Sequence, residues 1–206
     1  MSAPIPNDLP LVRARDLEHP RRASETELDL SGRLAHIRGL GTTTLASLLA
    51  ARMHARRLPV AWISATVDTV YPPDLAANGV DLDSLVFVFA GDAVQAARAA
   101  EHLLRSAAFA LIVIDLEEGA DIPDGAQGRL VRLARGSEAG VLCITHGEEL
   151  LRGSMISLRA RISRVPAARG RTSGGRYRVR VRITRDKHGG PGARSGEVCN
   201  APAGMR

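Results

Sequence analysis

The stretch Gly39-Leu40-Gly41-Thr42-Thr43-Thr44 has the order of a phosphate loop, lying between a strand candidate and a helix candidate. A glycine turn there aims the backbone N–H groups of the helix's first turn at an anion. A working loop of the G-x-x-x-x-G-K-[ST] type adds a lysine that reaches the β- and γ-phosphates and a hydroxyl on magnesium. Here Thr42 follows Gly41, and the residue five before Gly41 is His36 rather than glycine. The lysine is missing and the turn is shortened. Two readings fit: a glycine turn with threonine capping, or a loop that binds phosphate without hydrolysing it. Asp115 closes the apolar run LIVID, where a terminal acid would hold a nucleotide's magnesium. It could equally cap or hydrogen-bond the loop. His146 follows the run VLCIT with no acid or second histidine at ligand spacing, so it is expected as a solvated loop-edge residue.

Placing these residues together requires a parallel sheet. Apolar strands are expected at 34–37, 60–63, 85–89, 109–115 and 140–145. Helices are expected at about 43–56, 72–78, 92–106 and 128–135, with Asp92 as a cap and Pro72 in a first turn. Strands buried on both faces and alternating with helices form a doubly covered parallel sheet. After residue 153 the period changes to two. MISLRARISRV and RYRVRVRITR read as antiparallel strands joined by the loop AARGRTSGG. The fold class is therefore α/β, a three-layer, mostly parallel core with antiparallel C-terminal strands. The expected organisation is an N-terminal arm with one short helix over 1–30, a core over 31–187 and a Gly/Pro-rich flexible tail over 188–206.

With 206 residues and 45% hydrophobic content, the chain can bury a substantial core. No apolar run approaches the ~18 residues of a membrane span, and no secretory signal pattern opens the chain. The expectation is a cytoplasmic protein with Cys143 and Cys199 reduced. The net charge of +6 hides an asymmetry: residues 1–149 hold 14 arginines against 20 acids, whereas 150–196 hold 13 basic residues and one acid, Asp186. Lys187 is the only lysine. In the last strand Arg176, Arg178, Arg180 and Arg182 alternate with apolar residues, so period two puts the four guanidinium groups on one face. That face fits a solvated surface, a nucleic-acid backbone or an acidic protein partner. With two tyrosines, three phenylalanines and one tryptophan in the chain, base stacking is not supported. Any DNA contact is expected to be sequence-independent.

The segments from AWISATVDTVYPPDLAANGVDLDSLVFV to AFALIVIDL resemble the RecA family, as do VLCITH, SLRARISRV and VRITRDKHGGPG. The resemblance covers roughly residues 32–192. It implies that the phosphate-loop lysine falls on Thr42, with the loop hydroxyls kept as Thr43 and Thr44. It places the water-activating glutamate on Thr66, the magnesium acid on Asp115 and the γ-phosphate-sensing glutamine on His146. The two basic residues that reach a neighbouring subunit's nucleotide fall on Arg185 and Lys187. Loss of both the lysine and the glutamate implies a degenerate, non-enzymatic ATPase site without cofactor or metal.

Small RecA-like chains with a decayed site resemble the ImuA (SulA-like) group. That resemblance implies an accessory role in the DNA-damage (SOS) response, mutagenic translesion synthesis and regulation of recombination. The implied partners are RecA, an ImuB-like polymerase-related protein and an error-prone C-family DNA polymerase, with a sequence-independent DNA contact and no membrane. The alternatives are an active DNA-dependent ATPase of the RecA, RadA or KaiC kind and a SulA-type cell-division inhibitor. The chain departs from the group in the short region ahead of Gly32.

Overall fold

In the computed structural model, residues 28–65, 70–166, 177–188 and 195–196 are described. Most of the expected arm and tail, Thr66, the expected loop over 167–175 and Arg176 lie outside them. The elements run β1 (Leu34–Gly39), α1 (Thr42–Ala55), β2 (Val60–Ser64), α2 (Pro72–Ala77), β3 (Leu85–Phe89), α3 (Ala93–Arg105), β4 (Leu111–Leu116), α4 (Asp124–Ser137), β5 (Gly140–Thr145), β6 (Leu158–Pro166), β7 (Tyr177–Asp186) and β8 (Ser195–Gly196).

The eight strands form one sheet in the order β3-β2-β4-β5-β1-β6-β7-β8. The strands β1 to β6 are mutually parallel, as expected for the apolar runs of β2 to β5, and β6, expected as antiparallel from its alternation, joins them on its β1 side. Both ladders of β7 are antiparallel. The strand β6 thus has two characters, pairing parallel with β1 on one edge and antiparallel with β7 on the other. Two residues of the segment expected as a tail, Ser195–Gly196, pair with β7.

One core lies beneath α1 and α2, around Ile37, Leu45, Trp62, Val113 and Ile162. The other lies beneath α3 and α4, around Ile63, Ile114, Leu130 and Cys143. Several boundaries follow from local chemistry. The Asp92 carboxylate accepts from Gln95 N at 2.7 Å and starts α3. Proline opens α2, and Gly79 beyond its end adopts φ +88°. The helix α4 begins four residues before the expected 128. Its two early glycines do not break it, because Ala126, Gln127 and Leu130 of that turn are buried. The Gln127 amide donates to the carbonyls of Ile122 and Arg152, both at 2.7 Å, tying the loop after β5 to the helix.

Because β1 sits between β5 and β6, the C-terminal ends of β1, β4 and β5 meet at one edge of the sheet. Open α/β sheets place their sites there.

Candidate functional site

At that edge β1 ends in Gly39, which adopts φ +103° and lies so close to β6 that an added Cβ would stand 2.3 Å from the Ile162 carbonyl oxygen. Gly41, at φ +97°, is the N-cap of α1, and no side chain caps the helix. This corrects the threonine-capping reading: the helix begins on Thr42 itself, and the Thr42 hydroxyl is used elsewhere. Space for a Cβ on Gly41 is bounded by Arg164 Cγ and Val179 Cγ2, both at 3.4 Å. The β6–β7 hairpin is therefore a wall directly against the loop, and the turn is the three residues Gly39, Leu40 and Gly41. Thr42 and Thr44 are buried, and Thr43 is half-buried.

Asp115 stands on β4, fully buried, at the same edge. His146, immediately after β5, lies between it and the loop. Its Nε2 is 2.9 Å from Asp115 Oδ1 and its Nδ1 is 3.3 Å from Thr42 Oγ1. The imidazole thus joins Thr42 to Asp115, the two residues to which the family resemblance assigns the lysine and magnesium-acid positions. The expectation of a solvated histidine is corrected here. Its side chain is 39% exposed, but both ring nitrogens are engaged. The signal was present in the sequence as an acid and a histidine each ending a buried strand. Their adjacency depends on β4 and β5 being neighbours, which spacing along the chain does not give. The hydrogen bond that His146 donates to Asp115 raises the His146 pKa above its ordinary value; partial burial and the nearby Arg164 oppose this, and the Asp115 charge adds to it. Asp115 Oδ2 is buried with no hydrogen-bond partner among the described residues.

These residues do not fit a magnesium-bound triphosphate. The acid's Oδ1 faces a histidine, the leading threonine is turned to the same ring, and the first glycine is closed against a backbone carbonyl. Arg164, which sequence reasoning did not single out, borders the loop from β6, its Cγ 3.4 Å from where a Cβ on Gly41 would stand, and its charge is felt by His146. Among the described residues, no group of three or more His, Cys, Asp or Glu side chains could hold a metal.

The basic pair implied by the family resemblance divides. Arg185 is exposed at a bulge in the β6–β7 ladder, opposite Arg159. Lys187 turns back on its own chain, its Nζ donating to the Ser154 carbonyl and its N–H to the Ser157 carbonyl. On β7 the alternation holds where it is described: Arg178, Arg180 and Arg182 are exposed, while Val179 and Val181 are buried. These arginines point away from the loop, so the candidate site comprises two separate surfaces.

At the level of sequence, no family model and no curated protein matches the chain. Solved structures do. The RadB recombinase superposes with a TM-score of 0.56 at 17% identity, over 83% of this chain and 87% of that one. The flagellar accessory protein FlaH from Methanocaldococcus jannaschii gives 0.53 at 14% identity, over 82% of each chain. The fold is RecA-like. Among the described residues, no helix is long and apolar enough to cross a membrane.

Proposed function

We propose that this RecA-like chain is a non-enzymatic accessory protein of the DNA-damage response and translesion synthesis. It acts by binding RecA, with an ImuB-like protein and an error-prone C-family polymerase as further partners. The observation that supports the reading is the clasp Thr42–His146–Asp115, which ties together the two residues that the family resemblance assigns to a nucleotide's phosphates and magnesium. A recombinase fold whose site is filled by its own side chains keeps surfaces for related subunits but lacks the groups that stabilise phosphoryl transfer. A further support is the sheet edge at β3, which has no partner strand among the described residues and exposes Val86 and Phe89. Such an edge can accept a strand from another protein.

No ATP turnover is expected, with or without DNA. Thr42→Lys combined with Thr66→Glu is expected to leave the protein inactive, because Gly39 remains closed on Ile162 and His146 remains on Asp115. A wild-type rate above roughly 0.01 per second, far below ordinary enzyme turnover yet measurable, would defeat the non-enzymatic reading and favour the active ATPase.

The regulatory claim is tested by RecA-catalysed strand exchange. Inhibition is expected at substoichiometric protein, as one inert subunit blocks one growing filament end. Arg185→Ala with Lys187→Ala is expected to relieve it, the larger share coming from Arg185 because Lys187 is engaged with its own loop. Undiminished strand exchange at equimolar protein would remove RecA as a partner. Inhibition that persists in the double variant would move the contact elsewhere, to the β3 edge first.

A further inference from the structure

The outer face of the β6–β7 hairpin carries a two-dimensional array of arginines for which the fold supplies little counter-charge. The ladder register sets Arg161 opposite Arg182, Ser163 opposite Arg180 and Val165 opposite Arg178, with Arg185 opposite Arg159 beyond the bulge. Arg161, Ser163, Arg178, Arg180, Arg182 and Arg185 are all exposed. Side chains on one face repeat about every 7 Å along a strand and stand about 5 Å apart across a ladder. Like charges set directly opposite each other destabilise a sheet. Among the described residues Glu148 pairs with this face, its two carboxylate oxygens bonding Arg38 and Arg161, each at 2.7 Å. Arg178, Arg180 and Arg182 make no ion pair with any described residue.

We infer that this face is a docking surface for double-helical nucleic acid, gripped by its phosphates and without regard to sequence. The row from Arg178 to Arg185 is about 25 Å long at strand rise. A duplex offers one negative charge per roughly 1.7 Å of axis, so several phosphates fall within that reach. An acidic protein is the weaker match, because the buried centre of a protein interface is depleted of charged residues and rich in aromatic ones. Here the described face has arginine at its centre and no aromatic side chain; Val165, half-buried, is its apolar member. Protein–DNA interfaces are the strongly positive class. The lack of a stacking ring also argues against a single strand, whose bases would need a platform. Arg161, on the neighbouring strand, joins the row only through tertiary pairing.

The inference rests on this face and not on the closed loop, so it stands or falls apart from the regulatory reading. The test is fluorescence anisotropy of the full chain with a 30-base-pair duplex of mixed sequence, a scrambled duplex and a single strand of equal length, between 50 and 200 mM salt. The two duplexes should bind alike and more tightly than the single strand. Binding should fall steeply with salt, with a log–log slope near −0.9 per phosphate contact. Arg178→Gln with Arg180→Gln and Arg182→Gln should flatten that slope by roughly 2.7, about a 40-fold smaller loss across the same salt range. The control Arg98→Gln with Arg105→Gln and Arg132→Gln removes the same charge from exposed positions on α3 and α4 and should leave the slope unchanged. The β7 variant should melt no lower than wild type, since it relieves repulsion. Absence of duplex binding at 50 mM salt, an unchanged slope in the β7 variant, an equal change in the control, or capture of acidic vesicles or an acidic peptide in place of the duplex would each overturn the inference.

Discussion

Asp186→Ala is expected to destabilise the protein by about 3–5 kcal/mol, the range for removing one partner of a buried ion pair. Arg33, 4% exposed, lies just before β1. It ion-pairs with Asp186 at the end of β7 and donates to Ser157 Oγ and the Asp29 carbonyl, both at 3.1 Å. Removing Asp186 leaves a guanidinium in a site from which water is largely excluded. Against a usual total of 5–15 kcal/mol, that is a large share, and for a chain of this size it amounts to a fall of roughly 10 °C in Tm. Arg33→Met with Asp186→Leu should cost far less, because an apolar pair removes both desolvation penalties together. Urea denaturation of the three proteins checks this. A single variant no less stable than the double would show that the pair contributes nothing. The location gives the pair its wider importance. The β6–β7 hairpin is pinned to β1 at one end by this ion pair and at the other by the close approach of Gly39 to Ile162. The same hairpin walls the glycine loop and carries the arginine face, so loosening it should weaken both surfaces at once.

The sheet was legible because its signals are local. The run GVLCIT becomes β5 residue for residue, since a strand buried on both faces must be apolar throughout. LVFVF becomes β3 with the same bounds, although at the sheet edge its residues are only half-buried or exposed. The Asp92 cap and the alternation along β7 are equally local. The start of α4 was not, because Gly125 and Gly128 weaken intrinsic helix propensity while burial of Ala126 and Leu130 overrides it. The candidate site was half legible. Gly39, Gly41, Thr42 and Asp115 could be singled out from the order strand, turn, helix and from an acid at a strand end. The partner that joins them could not, since His146 lies 104 residues from Thr42 and 31 from Asp115. Arg161 and Arg164 show the same limit. Three residues apart on β6, they serve opposite faces, and the register with β7 assigns one to the arginine array and the other to the loop. The ion pair of Arg33 with Asp186 spans 153 residues and left no mark in the sequence beyond a lone acid in a basic segment.

Lowering the pH from 7 to 5 is expected to cost the wild type about 2 kcal/mol relative to His36→Gln, through the linkage of protonation to folding. His36 is fully buried on β1, with Nε2 3.0 Å from Thr145 Oγ1. Burial first, then the charges of Arg159 and Arg38, push its pKa down from 6.5 to about 3. Below 6.5 the unfolded chain takes up a proton that the folded chain refuses. Stability therefore falls by about 1.4 kcal/mol per pH unit across the window from 6.5 to 3. Glutamine can keep a hydrogen bond to Thr145 but cannot titrate, so its curve should be flatter over that window. His146, the next residue beyond Thr145, works in the other direction. Its folded pKa is raised, chiefly by the hydrogen bond it donates to Asp115. Its contribution is therefore complete below the unfolded value of 6.5 and is lost as the pH rises through the folded value. Being 39% exposed, it is screened by solvent, and its share should stay below about 1 kcal/mol. His146→Gln should accordingly remove a small stabilisation on acidification, while His36→Gln removes a larger destabilisation. Denaturant midpoints at pH 5, 6, 7 and 8 for the two variants and the wild type separate the two signs. Parallel curves for wild type and His36→Gln would mean that His36 is protonated in the folded protein. The buried His36–Thr145 contact would then tolerate a charge although the charges acting on it among the described residues are those of Arg159 and Arg38, which oppose it.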